Sequence, residues 1–386
     1  MHEGSMERRE VTRITCVVHQ QLDDLVAERL RTLGAQTVLL ESARVVRLHE
    51  RPRRWGLPGS GMVLNAAPAE IFRTTVPRAA ALRVLHELIE VADLRSAGRG
   101  AVYAQDIVEI GRCPPPDIDP GPDSPADVLQ DLTLIGCILS KPGSGDELAR
   151  TTLLLGVGVP VISLGDGTGI RDRMGLLRIT VPPEREMLHL MAPSHDAASL
   201  QRLLVEEGRM ARPGGGFLYQ TPIRAGMVDP MVRIGPQAHA ASMEQMIAAL
   251  DDLKKGTAWR KRFDGIEPTR RSAERPLYDY RELTFICSEG RAAERVQTAI
   301  RAGASGATTS LLRCLQWDDL EEGTAARERG VMCVPASREP AVRNALLQEA
   351  EKDADPAFRL QILSAPSVYS HMRNPPPDFP QPGASA

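Results

Sequence analysis

Aromatic side chains are scarce in this chain: six Phe, five Tyr and three Trp make up 4% of 386 residues. The hydrophobic fraction is nonetheless 42%, so the scarcity does not imply disorder and a globular protein is expected. Cysteine is also sparse, with six residues and no CxxC spacing, which argues against a zinc ribbon and against a disulfide framework. There is no excess of one charge. A formal net charge of -3 provides no electrostatic case for nucleic acid or for an anionic membrane surface. No apolar run is long enough to span a bilayer, and Met1–Arg9 lacks the apolar stretch of a secretory leader. GxSxG, HExxH and Cys-His arrangements are missing, so catalysis has no support. These absences lead to the expectation of a non-enzymatic, soluble, cytoplasmic protein without direct membrane insertion.

What the chain does contain is an internal repetition. Thr12-Arg13-Ile14-Thr15-Cys16 recurs as Thr133-Leu134-Ile135-Gly136-Cys137 and, loosely, as Leu283-Thr284-Phe285-Ile286-Cys287. Gly98-Arg99-Gly100-Ala101-Val102-Tyr103 is echoed by Gly214-Gly215-Gly216-Phe217-Leu218-Tyr219, whereas the third copy has only Pro356-Ala357-Phe358-Arg359-Leu360. A period above about 100 residues is too long for a solenoid and predicts tandem folding units. The three cysteines occupy one point of three apolar strands, where cysteine serves as a small buried hydrophobe.

Period and punctuation place the elements. Alternation over Val11–Val18 predicts a strand, and Leu22, Leu25, Val26, Leu30 and Leu33 then fall at helical spacing before Gly34. Strand-like Thr37–Leu48 and Ile71–Val76 flank a Gly- and Pro-punctuated loop. A helix carrying Leu82, Leu85, Leu88, Ile89 and Val91 precedes strand Ala101–Ile110. The second copy repeats the β-α-β-β-α-β order. Pro77, Pro193 and Pro335 occupy the same place before the second helix of each copy, where proline fixes φ and ends a strand. The expected fold class is α+β: three tandem ferredoxin-like domains packed as an intramolecular pseudo-trimer, each sheet burying an apolar face at the centre. The expected units are 10–112, a Pro-rich linker 113–127, 128–235, a helical and basic linker 236–276, a degenerate unit 277–371 and a disordered tail 372–386.

Glycine-rich turns between helix and strand let backbone N–H groups converge on an anion, and nearby arginines can add charge-assisted bonds. The candidate ligand-binding residues are therefore Arg209, Arg212, Gly214, Gly215, Gly216 and Arg233 in the second unit. A weaker set, Arg95, Gly98, Arg99, Gly100 and Arg112, lies in the first. The plainer alternative is that the glycines make tight turns and the arginines are solvated. Gly165, Gly167 and Gly169 could approach a phosphate or form a flexible hairpin base; without a following Lys-Ser or Lys-Thr they are not a Walker loop. His189 and His195 lack metal-ligand spacing, and no metal site is expected.

These loops, with Val232-Arg233-Ile234-Gly235 downstream, resemble the PII signal-transduction family, whose Gly-rich B-loop and Arg-bearing C-loop contact phosphates. The resemblance implies trimer-like packing, adenine nucleotides (ATP, ADP or AMP, with or without magnesium) in clefts between units, and long loops that dock on a transporter or an enzyme. It departs from the family in having Phe217 and Ala101 where a lysine is usual, and in lacking a modifiable loop tyrosine. On this reading the protein is a regulatory effector-binding protein, monomeric as a pseudo-trimer. The alternatives are a ligand-free scaffold and a metal-tolerance protein of the same shape.

Overall fold

The computed structural model describes residues 6–50, 62–114, 116–121, 128–169, 184–212, 215–230, 276–318 and 321–370. The Gly- and Pro-punctuated loop at 51–61, residues 170–183, the linker over 236–275 and the tail 372–386 lie outside them.

In chain order, strand β1 (Glu7–His19), helix α1 (Asp23–Thr32), β2 (Thr37–Glu50), β3 (Met62–Val76), α2 (Ala81–Ala92) and β4 (Gly100–Gly111) form a first segment. The second comprises β5 (Leu132–Leu139), α3 (Ser144–Leu155), β6 (Val161–Gly169), β7 (Glu184–Pro193), α4 (Ala197–Glu207), β8 (Gly216–Ile223) and the short β9 (Ala225–Met227). The third is β10 (Leu277–Ser288), α5 (Ala292–Arg301), β11 (Gly306–Asp318), β12 (Glu321–Pro335), α6 (Glu339–Lys352) and β13 (Arg359–Ser370). β3 ends at Val76, just before Pro77, and β7 and β12 end on Pro193 and Pro335. Those three prolines mark the same structural address.

The expectation of three separate ferredoxin-like domains is corrected here. All thirteen described strands belong to one sheet, which closes into a ten-stranded antiparallel barrel, and six α-helices are found among the described residues. Among the described residues the three segments share strand edges. β2 pairs with both β6 and β11, β6 also pairs with β11, and β13 pairs with both β4 and β8. Closure has a physical reason: an open edge leaves a row of unpaired N–H and C=O groups, and a barrel removes it. The tandem pseudo-trimer reading goes with this correction, and nothing in the barrel speaks for signalling or nucleotide binding.

Alternation along each strand separates two environments. Ile14, Cys16 and Val18 of β1 pack with Val26 and Leu30 of α1 and with Val84, Leu85, Leu88 and Ile89 of α2. Leu25 and Leu82, expected on the buried faces, are instead exposed. The opposite face of β1, with Arg13, Thr15 and Val17, turns into the barrel. There the expected apolar centre gives way to a buried ion network. Arg13 donates to Glu282 at 3.1 Å and to Gln105 at 2.8 Å, and Arg73 and Arg329 each donate to Glu41 at 2.5 Å. The cysteines conform to expectation: Cys16, Cys137 and Cys287 are buried and free, and burial pushes each thiol up to about 12.

The expected spacer is anchored where it is described. Ile118 is buried in the core of the first segment, and the Asp119 carbonyl accepts from Arg83. Among the described residues no helix is long and apolar enough to cross a membrane.

Candidate functional site

A cavity of about 290 Å3 lies between the first and second segments. Its walls are mostly aliphatic, with Val17, Val45 and Ile71 on one side and Leu132, Leu134 and Met191 on the other. Four polar side chains enter the lining: Arg73, Tyr103, His189 and Asp229. A largely apolar, concave space with a few placed polar groups is the usual form of a small-molecule site.

The register of the sheet explains why Arg73 and His189 are there. Across the ladder, Thr15 faces Arg73, Gly136 faces His189 and Ile286 faces Arg329. Each pair involves the residue just before a repeated cysteine, so these three basic side chains hold equivalent inward positions. In the second segment, Gly136 leaves room for a ring: a Cβ there would stand 2.4 Å from Tyr219.

The charges around His189 define its state. Burial pushes its pKa down to about 3, and the Arg73 and Arg329 guanidiniums act in the same direction against Glu41. At neutral pH its imidazole is therefore uncharged. Burial acts to raise the Glu41 carboxyl, but Arg329 and Arg73 outweigh it and bring the pKa down to about 2. The cavity thus meets the Arg73 guanidinium, itself paired with Glu41, at the barrel centre. At its other end the lining Asp229 carboxylate is engaged by the Gly98 turn.

That turn bears directly on the sequence-predicted anion site. The Gly98 N–H donates to the Asp229 carboxylate at 2.7 Å, and the Gly98 carbonyl accepts from Arg47 at 2.6 Å. The protein's own carboxylate occupies the place an anion would take. Burial raises the Asp229 carboxyl above its ordinary value, against the Gly98 N–H and Arg47. The third segment, which has no glycine loop, does something similar: Asp355 accepts from the backbone N–H groups of Ser288 at 3.2 Å and Ala357 at 3.1 Å.

The other predicted residues are scattered. Arg95 pairs with Glu90, and Arg99 donates to the Ala92 carbonyl at 2.7 Å, the last residue of α2. Gly100 lines the cavity, and its φ of +140° brings it so close to β1 that a Cβ would stand 2.0 Å from the Val17 carbonyl. Arg112 donates to the carbonyls of Asp355 at 2.6 Å and Ala350 at 3.4 Å, tying the end of β4 to the end of α6. In the second segment Arg209 (φ 50°) and Arg212 are exposed, and a Cβ on Gly215 would meet the Arg209 carbonyl at 2.6 Å. Gly216, with φ +141°, mirrors Gly100 against the Ile138 carbonyl. Gly214 and Arg233 lie outside the described residues.

Gly165, Gly167 and Gly169 run along β6, with Gly167 opposite Thr308 and Gly169 opposite Gly306 of β11. A Cβ on Gly165 would meet the Thr309 carbonyl at 2.6 Å, so small residues let the two strands join. Among the described residues no three His, Cys, Asp or Glu side chains converge to hold a metal ion.

Sequence reasoning placed Gly100 in a site but missed Arg73, Tyr103 and His189. The signal that could have found them is a polar residue at the inward position beside the repeated cysteine ladder. No protein-family model matches this chain, and no curated protein matches it. The resemblance to PII proteins draws no support from these comparisons.

Proposed function

We propose that this chain is a binding protein for a small, largely apolar carboxylate, held in the cavity between the first and second segments. The observation that carries this reading is the cavity itself: aliphatic walls with Arg73, Tyr103 and the neutral His189 in the lining, and with the lining Asp229 carboxylate bound to the Gly98 N–H. Burying an apolar body supplies affinity in proportion to its area, about 25 cal/mol per Å2. A carboxylate facing Arg73 supplies orientation through a charge-assisted hydrogen bond. A free amine would meet a cation there. The Asp229 carboxylate on Gly98 favours this occupant over a nucleotide phosphate at the glycine turn.

The test is calorimetric titration of the full chain with a panel of aliphatic and aromatic carboxylates, their matched amides and amines, and ATP, ADP and AMP. A carboxylate is expected to bind at one saturable site, more tightly than its amide. Val159 lines the cavity, half-buried, from the connection between α3 and β6, so Val159→Trp is expected to fill the space without disturbing the ion network. That variant should weaken binding about tenfold or more, roughly 1.4 kcal/mol, with little change in Tm. Affinity unaltered by Val159→Trp, or no carboxylate binding to the folded protein, would overturn the assignment.

A further inference from the structure

A second, much smaller cavity lies where the first and third segments meet. Its volume is about 20 Å3, room for one or two atoms of water size. Four arginines line it, Arg13, Arg73, Arg329 and Arg359, together with the hydroxyl-bearing Thr37, Thr74, Thr75 and Thr284. Not one carboxylate is among the lining residues.

The ion pairs around this cavity leave positive charge over. Arg13 pairs with Glu282 at 3.1 Å. Arg73 and Arg329 share one carboxylate, both reaching the same oxygen of Glu41 at 2.5 Å. Arg359 donates to the Thr37 hydroxyl at 2.8 Å and has no carboxylate partner among the described residues. One further carboxylate, Glu109, stands behind Gln361, which donates to it at 2.9 Å, and Thr75, which donates at 3.4 Å. Four cations therefore face three anions. Arginine does not relieve such an excess by losing its proton; Arg13, Arg73 and Arg329 are buried and Arg359 is half-buried, so solvent screens the excess only in part.

Two further observations concern residues that line the cavity. Arg13 is 7% exposed, yet its Nε–H has no hydrogen-bond partner. Thr37 Oγ1 accepts from Arg359, which leaves its own hydrogen to donate. In the neighbouring cavity the His189 pKa is lowered mainly by burial, and Arg73, Arg329 and Arg13 lower it further against Glu41.

We propose that this cavity binds one chloride ion, held by Arg13, Arg359 and the Thr37 hydroxyl and balancing the extra guanidinium of the barrel core. A monovalent, monatomic anion matches both the single excess charge and the volume; phosphate and sulfate are too large. This site is separate from the carboxylate cavity and stands whether or not that reading holds.

The direct experiment is a crystal of the full chain grown or soaked in bromide, with data collected at the bromine absorption edge. An anomalous peak among Arg13, Arg359 and Thr37 is expected. In solution, Tm measured at constant ionic strength should rise by roughly 2–5 °C when gluconate is replaced by chloride, as specific binding to the folded state requires. Arg359→Met should abolish that chloride dependence while the protein stays folded, because Arg359 is half-buried and outside the ion pairs. Three results would each overturn the proposal: no anomalous peak in this cavity, equal stabilisation by chloride and gluconate, or an undiminished chloride effect in Arg359→Met.

Discussion

Glu41 and His189 are the residues whose titration the fold perturbs most informatively. The folded protein protonates His189 only near pH 3, whereas an ordinary histidine takes its proton near 6.5. Between these values the unfolded chain holds more protons, so stability rises with pH, by about 1.4 kcal/mol per pH unit for one proton. Glu41, held at about 2 against an ordinary 4.5, adds stability that is fully present above pH 4.5 and is lost as pH falls toward 2. Denaturant melts should therefore show a stability slope that begins below pH 6.5 and steepens below 4.5. His189→Gln, which keeps a polar side chain of similar size but cannot titrate, should flatten the upper part of that slope and spare the lower. A slope between pH 6.5 and 4.5 identical in the variant and the parent would refute the role given to His189.

At the scale of elements, the connection from α2 into β4 is the most constrained turn. Asp93 ends α2 in the left-handed region at φ 50°, and Gly98 and Gly100 follow with φ of +83° and +140°. At Gly100 the obstruction is backbone, the Val17 carbonyl 2.0 Å from any Cβ, so no side-chain rotation relieves it. Gly100→Ala should cost about 2–4 kcal/mol through strain and a displaced β1–β4 ladder, read as a fall in the midpoint of urea unfolding. Gly143, with φ +81° and nothing within 4 Å of its Cβ position, should cost less on the same substitution. The glycine repetition visible in the sequence therefore has a clear backbone cause at Gly100 and Gly216, whose φ values match. The shared feature belongs to strand entry.

For the whole molecule, continuity of the sheet is what the third segment contributes. β11 pairs with β2 and β6, while β13 pairs with β4 and β8. Deleting residues 276–386 would uncover edges in both remaining segments and leave Arg13 without Glu282 and Glu41 without Arg329. The truncated chain is expected to aggregate or expand, seen as early elution in size-exclusion chromatography and loss of a cooperative melt. A compact monomer with an unaltered midpoint would show that the first two segments close without the third.

Much of the local structure was legible from the sequence because its causes are local. Alternation marked the strands, and the 3.6-residue spacing of Leu85, Leu88 and Ile89 marked the buried face of α2. Pro77, Pro193 and Pro335 marked strand ends because proline acts on its own φ. The repeated cysteines were readable as buried hydrophobes for the same reason: the residues on either side alternate with them. What the sequence by itself determined was thus the order of elements and most of the outer face of the strands, which packs largely under the helices of the same segment. The inner face was decided only by tertiary structure. Arg13 and Glu282 are 269 residues apart and Arg329 and Glu41 are 288 apart. No local pattern links such pairs. Their meeting depends on how strand edges join, and edge pairing is made of backbone hydrogen bonds that every sequence offers. Barrel closure, the buried charges and both cavities follow from that joining.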